Sequence, residues 1–376
     1  MLAWVSQMHD RVTIATSAAA ELPEFKVHGR DLRIDACRGI ALWWIFLDHI
    51  PNNIGSWLTL RNYGFSDAAE IFMFISGVTC ALAYGAAWRR EGWTGVIGRT
   101  LRRSWDIYVA FLVVTLACVI LVYLTGRLAD ESNTRVLLDN PGATLARAAV
   151  LQYRPVNTDV LPAFVLLHLL FAPLLWLLLR APNATLGASL GLDVLVQVFG
   201  WTIPAWPGGH WAFNPLAWQF LVVLGAWWII EGKRAQPWVV SRTTFRLATL
   251  YLIFSLAVVL RWHIEPSEPA KLFLDKSNLA PLRLLHFLAI AVVAAWVVPR
   301  NWRGLATPIM RGAIRCGQNS LPIYCLGVLL TFAGHLALLE ISAGPAMQIG
   351  LSLAGIAVMI AIATLLNSIS TQPKRS

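Results

Sequence analysis

Long apolar segments alternate with short polar ones along almost the whole chain. A membrane-spanning helix needs about 20 mostly apolar residues, and segments 104–125 and 347–366 meet this requirement without interruption. The pattern therefore predicts an all-α integral membrane protein with about ten transmembrane helices. The predicted spans are 34–54, 67–87, 104–125, 160–180, 185–203, 215–230, 243–262, 280–298, 318–339 and 347–366.

Composition supports the membrane class. Hydrophobic residues make up 57% of the chain and charged residues only 13%, and the mean hydropathy is +0.61. An ordinary soluble domain of this length would expose more charge. The five cysteines stand singly in or beside apolar stretches, so no disulfide framework and no metal site is predicted.

The formal net charge of +10 indicates either a nucleic-acid partner or the cytoplasmic loops of a membrane protein. Most of the 30 lysines and arginines fall in segments predicted to lie on the same side of the membrane as the N-terminus. The positive-inside rule then predicts that both termini are cytoplasmic. This distribution explains the charge without nucleic acid.

The predicted spans form one membrane domain over residues 31–368. Residues 1–30 and 369–376 are predicted to be cytoplasmic tails. The first 30 residues lack a basic start followed by a long apolar core, so we expect no cleaved signal peptide.

The first predicted span carries charged residues that its apolar setting does not explain. At about 100° per residue, Asp35, Arg38 and His49 share one helix face, and Asp48 lies beside it. A charge inside a membrane span costs about 2.5–3.5 kcal/mol, so such residues indicate function. Two structural readings remain open: Asp35 and Arg38 could join helices at the cytoplasmic end, and His49 could be a hydrogen-bonded core histidine.

The second predicted span begins near the membrane depth at which His49 lies in the first span. Asp67 and Glu70 lie one turn apart at its start, so we expect Glu70 to contact His49. The short connecting loop contains Arg61 and Asn62, which could cap the same cavity.

Further polar and aromatic residues are predicted at the same outer depth. Aromatic faces and amide or carboxylate groups suit a sugar, whose C–H faces are apolar and whose edges carry hydroxyls. The candidates are Trp211, Asn214, Trp218 and Gln219 before the sixth span, and Arg283 and His286 in the eighth.

Several segments of the chain resemble those of a known family. They read RDLRIDACRGIALWWIFLDHIP, TLRNYGFSDAAEIFMFISG, FNPLAWQF, DKSNLAPLRLLHFLAI and GQNSLPIYCLGVLL. They are similar to the OpgC family, which is related in fold to the acyltransferase-three membrane acyltransferases. The resemblance implies a bacterial inner-membrane enzyme that adds succinyl or related acyl groups to osmoregulated periplasmic glucans, with acyl-CoA as the donor. It also implies that Arg38 and His49 form the arginine–histidine pair of the first span.

These expectations give a mechanism in which a sugar hydroxyl attacks a thioester carbonyl. His49 is the predicted general base, and Asp48 or Glu70 orients it. Arg38 and Asp35, together with Arg102 and Arg103, are the predicted donor-binding residues, although Arg102 and Arg103 could equally be topology determinants. Direct transfer and a transient acyl-histidine both remain open.

Two other functions remain open. The polar stripe could line the path of a transporter or exporter of glucan or another polar metabolite, or the protein could be a structural partner of a glucan synthase. No permanently bound cofactor is expected. The expected partners are acyl-CoA, the glucan acceptor and membrane lipid, with a homo-oligomer or a glucan-synthesis partner left open.

Overall fold

The computed structural model describes residues 31–130, 132–264, 274–299 and 302–371. The predicted tail 1–30 and residues 372–376 lie outside this range. The regular secondary structure of the described residues is helical, and their only β-type contact is an isolated bridge between Pro204 and His210. The α-helices are α1 Leu32–His49, α2 Ala68–Thr125, α3 Arg135–Asp139, α4 Pro141–Ala149, α5 Val160–Leu169, α6 Phe171–Arg180, α7 Pro182–Phe199, α8 Pro215–Val239, α9 Arg242–Ile264, α10 Pro281–Val297, α11 Pro308–Gln318, α12 Ser320–Glu340 and α13 Pro345–Thr371.

Within the described ranges, five helices are long and apolar enough to cross a membrane. They are α2, α8, α9, α12 and α13. A sixth candidate is the pair α5 and α6, which is bent by 55°. The fold is therefore that of an all-helical membrane protein.

A helix occupies the position of each predicted span. Helix α2 covers two of the predicted spans. Gly92, with φ 67° and ψ −161°, interrupts the helix and divides it into two halves. Its two halves, 68–91 and 93–125, each exceed the about 20 residues that a span requires. Helix α1 falls outside the five because its charged residues lower its hydropathy, and α10 is a shorter apolar helix. The total of ten spans stays a prediction.

Helix α1 packs closely against α11, a short helix that the sequence pattern did not predict. A Cβ atom added to Gly39 would lie 1.8 Å from the backbone oxygen of Ala313. One added to Gly317 would lie 1.9 Å from the backbone oxygen of Asp35. Small residues allow two helix backbones to approach in this way. Together with α2 and α12, α11 surrounds α1.

A similar close approach joins α2 to α8. A Cβ on Gly77 would lie 2.0 Å from the backbone oxygen of Val222, and one on Gly225 would lie 2.2 Å from that of Phe74. Glycine at these two positions lets the backbones of α2 and α8 come this close. The contact fixes the part of α2 that faces α1.

Candidate active site

A cavity with a volume of about 330 Å³ lies between α1, α2, α5 and α12. Its lining includes the side chains of Arg38, Arg99 and Arg103, and it includes no carboxylate among the described residues. We refer to it as the basic cavity. Positive side chains in its lining favour an anionic ligand.

Arg38 is held at the wall of the basic cavity by α2. Its Nη2 donates to Thr79 Oγ1 at 2.6 Å and to the backbone oxygen of Ile75 at 3.4 Å. These bonds fix the guanidinium in place but leave it in the lining. The guanidinium of arginine is well suited to binding phosphate or carboxylate oxygens.

The other predicted donor-site residues occupy different environments. Arg103 is half-buried and lines the basic cavity, whereas Arg102 is exposed. Asp35 is buried, and its backbone packs against Gly317. Arg99 lines the cavity and is paired with Glu91. Of the predicted set, Arg38 and Arg103 are therefore the two in the cavity lining.

A second cavity, of about 70 Å³, lies at the C-terminal end of α1. We refer to it as the histidine cavity. Its lining carries acidic, basic and amide groups, which can both donate and accept hydrogen bonds. The polar residues are Asp48, His49, Arg61, Asp67, Asn157, Asp159 and Lys276.

The ring of His49 is oriented by its own helix. Its Nδ1 lies within hydrogen-bond distance of the backbone oxygen of Ile45. A carbonyl only accepts, so this bond assigns the proton to Nδ1. The other ring nitrogen, Nε2, then carries a lone pair, as a general base requires.

Asp48 is engaged by the loop after α1. Its Oδ1 accepts from Thr59 Oγ1 at 2.6 Å, and its backbone oxygen accepts from Arg61 Nη1 at 3.3 Å. The adjacent Asn62 donates to the backbone oxygen of Ser56 at 2.7 Å. Asp48 thus lies beside His49 in the lining, while its carboxylate is bonded to the loop.

Glu70 lies in a buried ion cluster and not against His49. Its Oε1 is 2.6 Å from Arg283 Nη2, and its Oε2 accepts from the backbone N–H of Asp67 at 2.9 Å. Asp67 in turn pairs with Lys276 at 2.7 Å and with Arg283 at 3.1 Å. The expected contact between Glu70 and His49 is therefore replaced by a contact with Arg283, because two cations from a distant segment balance both carboxylates.

His286 holds the start of α2. Its Nδ1 accepts from the backbone N–H of Ser66 at 3.2 Å and lies 2.7 Å from the hydroxyl of the same residue. Its ring also abuts Gly64, where an added Cβ would lie 1.9 Å from Nε2. His286 and Arg283 are both buried, so they support the start of α2 from the protein interior.

The predicted sugar-binding residues before and within α8 are used mainly in packing. Trp218 is fully buried, and its Nε1 donates to the backbone oxygens of Lys276 and Ser277 at 3.0 and 3.1 Å. Asn214 caps α8 and donates to Asn278 Oδ1 at 2.9 Å. These bonds hold the segment that brings Lys276 to the histidine cavity.

The remaining two residues of that set are also enclosed. Gln219 donates to the backbone oxygen of Ser189 at 3.0 Å and accepts from its hydroxyl at 2.6 Å. Trp211 is buried, with the guanidinium of Arg154 at 5.9 Å from its ring centroid. Contact of these side chains with an acceptor stays a prediction, which their burial does not favour.

Comparison with known proteins gives the family. Residues 30–371 match the family described as OpgC protein. The chain belongs to the OpgC family. Membership indicates a transferase of the acyltransferase kind. No curated protein and no solved structure matches the chain.

Several residues of this OpgC-family site escaped the sequence reasoning. Lys276, Asn157 and Asp159 lie in loops and give no periodic signal, yet each lines the histidine cavity. Tyr324 lines both cavities. It stands within GQNSLPIYCLGVLL, which carried the resemblance but was given no role.

Proposed function

We propose that this protein transfers a succinyl or related acyl group from acyl-CoA to hydroxyls of a periplasmic glucan. One observation carries the proposal: the same helix presents Arg38 to the basic cavity and His49 to the histidine cavity. The helix thereby holds an anion-binding group and a general base at a fixed distance from each other along its axis.

The basic cavity is the proposed donor site. Acyl-CoA carries phosphates at one end, and a succinyl group adds a carboxylate at the other. Arginine binds both kinds of group through paired N–H donors. Arg38 and Arg103 bring guanidinium groups to this cavity, whose described lining has no carboxylate.

The spacing of the two groups suits a long donor. Arg38 and His49 are eleven residues apart, which is about 16 Å along a helix axis at 1.5 Å per residue. A ligand must therefore be extended, with its charge and its reactive carbon well separated. Acyl-CoA has this form, since a flexible arm joins its phosphates to the thioester.

The histidine cavity is the proposed acceptor site. A sugar hydroxyl would donate its proton to His49 Nε2 while its oxygen attacks the thioester carbonyl. The new C–O bond forms, the C–S bond breaks, and the proton passes from His49 to the departing thiolate. Lys276 and Arg61, both in the lining, are suited to stabilise the carbonyl oxygen as its negative charge develops.

We further propose that the protein lies in the bacterial inner membrane with ten spans and both termini in the cytoplasm. The excess of basic residues on one side supports this orientation. It places the basic cavity toward cytoplasmic acyl-CoA and the histidine cavity toward the periplasm. Reporter fusions after residues 140 and 371 should report periplasmic and cytoplasmic positions respectively; the reverse would overturn the orientation.

The deciding experiment uses the full chain, purified and placed in liposomes. Radiolabelled succinyl-CoA and glucan are supplied, and label in the glucan is measured by chromatography and mass spectrometry. We expect ester-linked succinyl groups on the glucan. Transport of unmodified glucan across the liposome membrane, without label transfer, would instead identify an exporter.

A further inference from the structure

Tyr324 occupies the boundary between the two cavities. It lies in α12, is 6% exposed, and lines both the basic cavity and the histidine cavity. Phe72 of α2 and Val160 of α5 also line both, and they too are buried. Three helices therefore each contribute one side chain to a wall that separates Arg38 from His49.

We propose that Tyr324, Phe72 and Val160 form a movable partition, and that Tyr324 controls passage of the acyl group to His49. This inference rests on the proposed function. In the closed state the two cavities are separate. Transfer requires the thioester carbon to reach Nε2 of His49, so the partition must yield when the donor binds.

The hydroxyl group of Tyr324 forms a hydrogen bond that can hold the partition closed. Its hydroxyl donates to the backbone oxygen of Asn157 at 2.7 Å, and Asn157 lines the histidine cavity. Asn157 has φ 69°, a left-handed conformation that asparagine tolerates better than most residues. Phe72 and Val160 have no polar side-chain atom. Of the three side chains of the partition, only that of Tyr324 can therefore form a hydrogen bond.

A closed partition has a chemical purpose in a two-cavity enzyme. Water that reached a bound thioester would hydrolyse it without acylating the acceptor. An open connection between the cavities would also join the two sides of the membrane. Tyr324 is therefore a positioning residue: it keeps the donor from His49 until the hydroxyl bond to Asn157 is released.

Ser320 offers a position from which to read the partition, because it lines the basic cavity and is half-buried, whereas a buried thiol such as that of Cys80 reacts poorly. The five native cysteines are replaced by alanine, Ser320→Cys is introduced, and an impermeant thiol reagent is applied to membrane vesicles of either orientation. We expect labelling of Ser320→Cys from one side when Tyr324 is present. When Tyr324→Ala is added, we expect labelling from both sides.

Tyr84 supplies a matched control. It is also 6% exposed and lines the basic cavity, but it is not one of the residues shared with the histidine cavity. Tyr84→Ala should enlarge the basic cavity without admitting reagent from the second side. Each variant is compared only after its membrane level and elution profile match the unaltered protein.

The second measurement is hydrolysis of succinyl-CoA by purified protein without acceptor. Tyr324→Phe keeps the ring and removes only the bond to Asn157. We expect the ratio of hydrolysis to transfer to rise about 2- to 10-fold, the change that loss of one hydrogen bond gives. Tyr153 is the control, because it is buried, lines neither cavity, and donates from its hydroxyl to the backbone oxygen of Asn133 at 2.7 Å. Tyr153→Phe should leave the ratio unchanged.

The outcomes separate this inference from the proposed function. Equal results for the Tyr324 variants and their control variants in both measurements would overturn the partition. Absence of acyl transfer by the unaltered protein would overturn the proposed function, while the labelling of Ser320→Cys would still report whether the cavities connect.

Discussion

Arg38 and His49 lie on one face of α1, yet they line different cavities. Their angular difference is about 20°, so the helix itself sets both their shared direction and their separation in depth. The polar stripe is thus divided between the basic cavity and the histidine cavity. A single continuous channel would not need this division.

Replacement of His49 by glutamine should abolish acyl transfer. Glutamine keeps a polar side chain but cannot accept and return a proton near neutral pH, and general base catalysis is worth about 10²- to 10⁴-fold. The measurement is the rate of label transfer from succinyl-CoA to glucan. His210→Gln is the control, since His210 is exposed and lies outside the lining of the histidine cavity. Unchanged activity in His49→Gln would exclude His49 as the base.

Arg103 and Arg102 test the location of the donor site. Arg103→Gln should raise KM for acyl-CoA about tenfold with a smaller effect on kcat, since a charge-assisted hydrogen bond contributes about 1.5–3 kcal/mol. Arg102→Gln removes the same charge from an exposed position and should change KM less than about twofold. Equal effects would mean that the two act only through general electrostatic attraction or topology.

The stripe of α1 could be predicted because a charge within an apolar segment is conspicuous against its background. Helix positions followed from apolar length in the same way. Helix α11 escaped because its residues 308–318 are too few and too mixed to form an apolar run. Its tight packing on α1 depends on Gly39 and Gly317, which a count of apolar residues does not detect.

Pairings between distant segments could not be read from spacing. Glu70 was expected at His49 because both reach a similar depth, but depth does not fix rotation about the helix axis. Arg283, more than 200 residues away in the sequence, forms an ion pair with Glu70 instead. The residues of the partition were missed for the same reason: Phe72, Val160 and Tyr324 come together only when α2, α5 and α12 pack.

Glu70→Gln should act mainly on stability. Glu70 is fully buried and pairs with Arg283 at 2.6 Å, and breaking a buried pair from one side costs about 3–5 kcal/mol. We expect a lower thermal midpoint in detergent and a lower membrane level, with activity per folded molecule retained. Glu340→Gln is the control, because its pair with Arg127 is exposed and should contribute less than about 1 kcal/mol. Normal stability with lost activity would instead restore Glu70 to a catalytic role.

Gly39→Val should prevent α1 from seating against α11. The added side chain would begin 1.8 Å from the backbone oxygen of Ala313, and a backbone atom cannot rotate away as the end of a side chain can. Overpacking of this kind costs about 1–3 kcal/mol or more, and here it would also shift Arg38 and His49 together. We expect loss of folded protein, measured as a monodisperse peak in size-exclusion chromatography of detergent extracts. Gly98→Val is the control, because a Cβ at Gly98 in α2 meets nothing within 4 Å. A normal peak and normal transfer by Gly39→Val would show that the close contact between α1 and α11 does not hold the site.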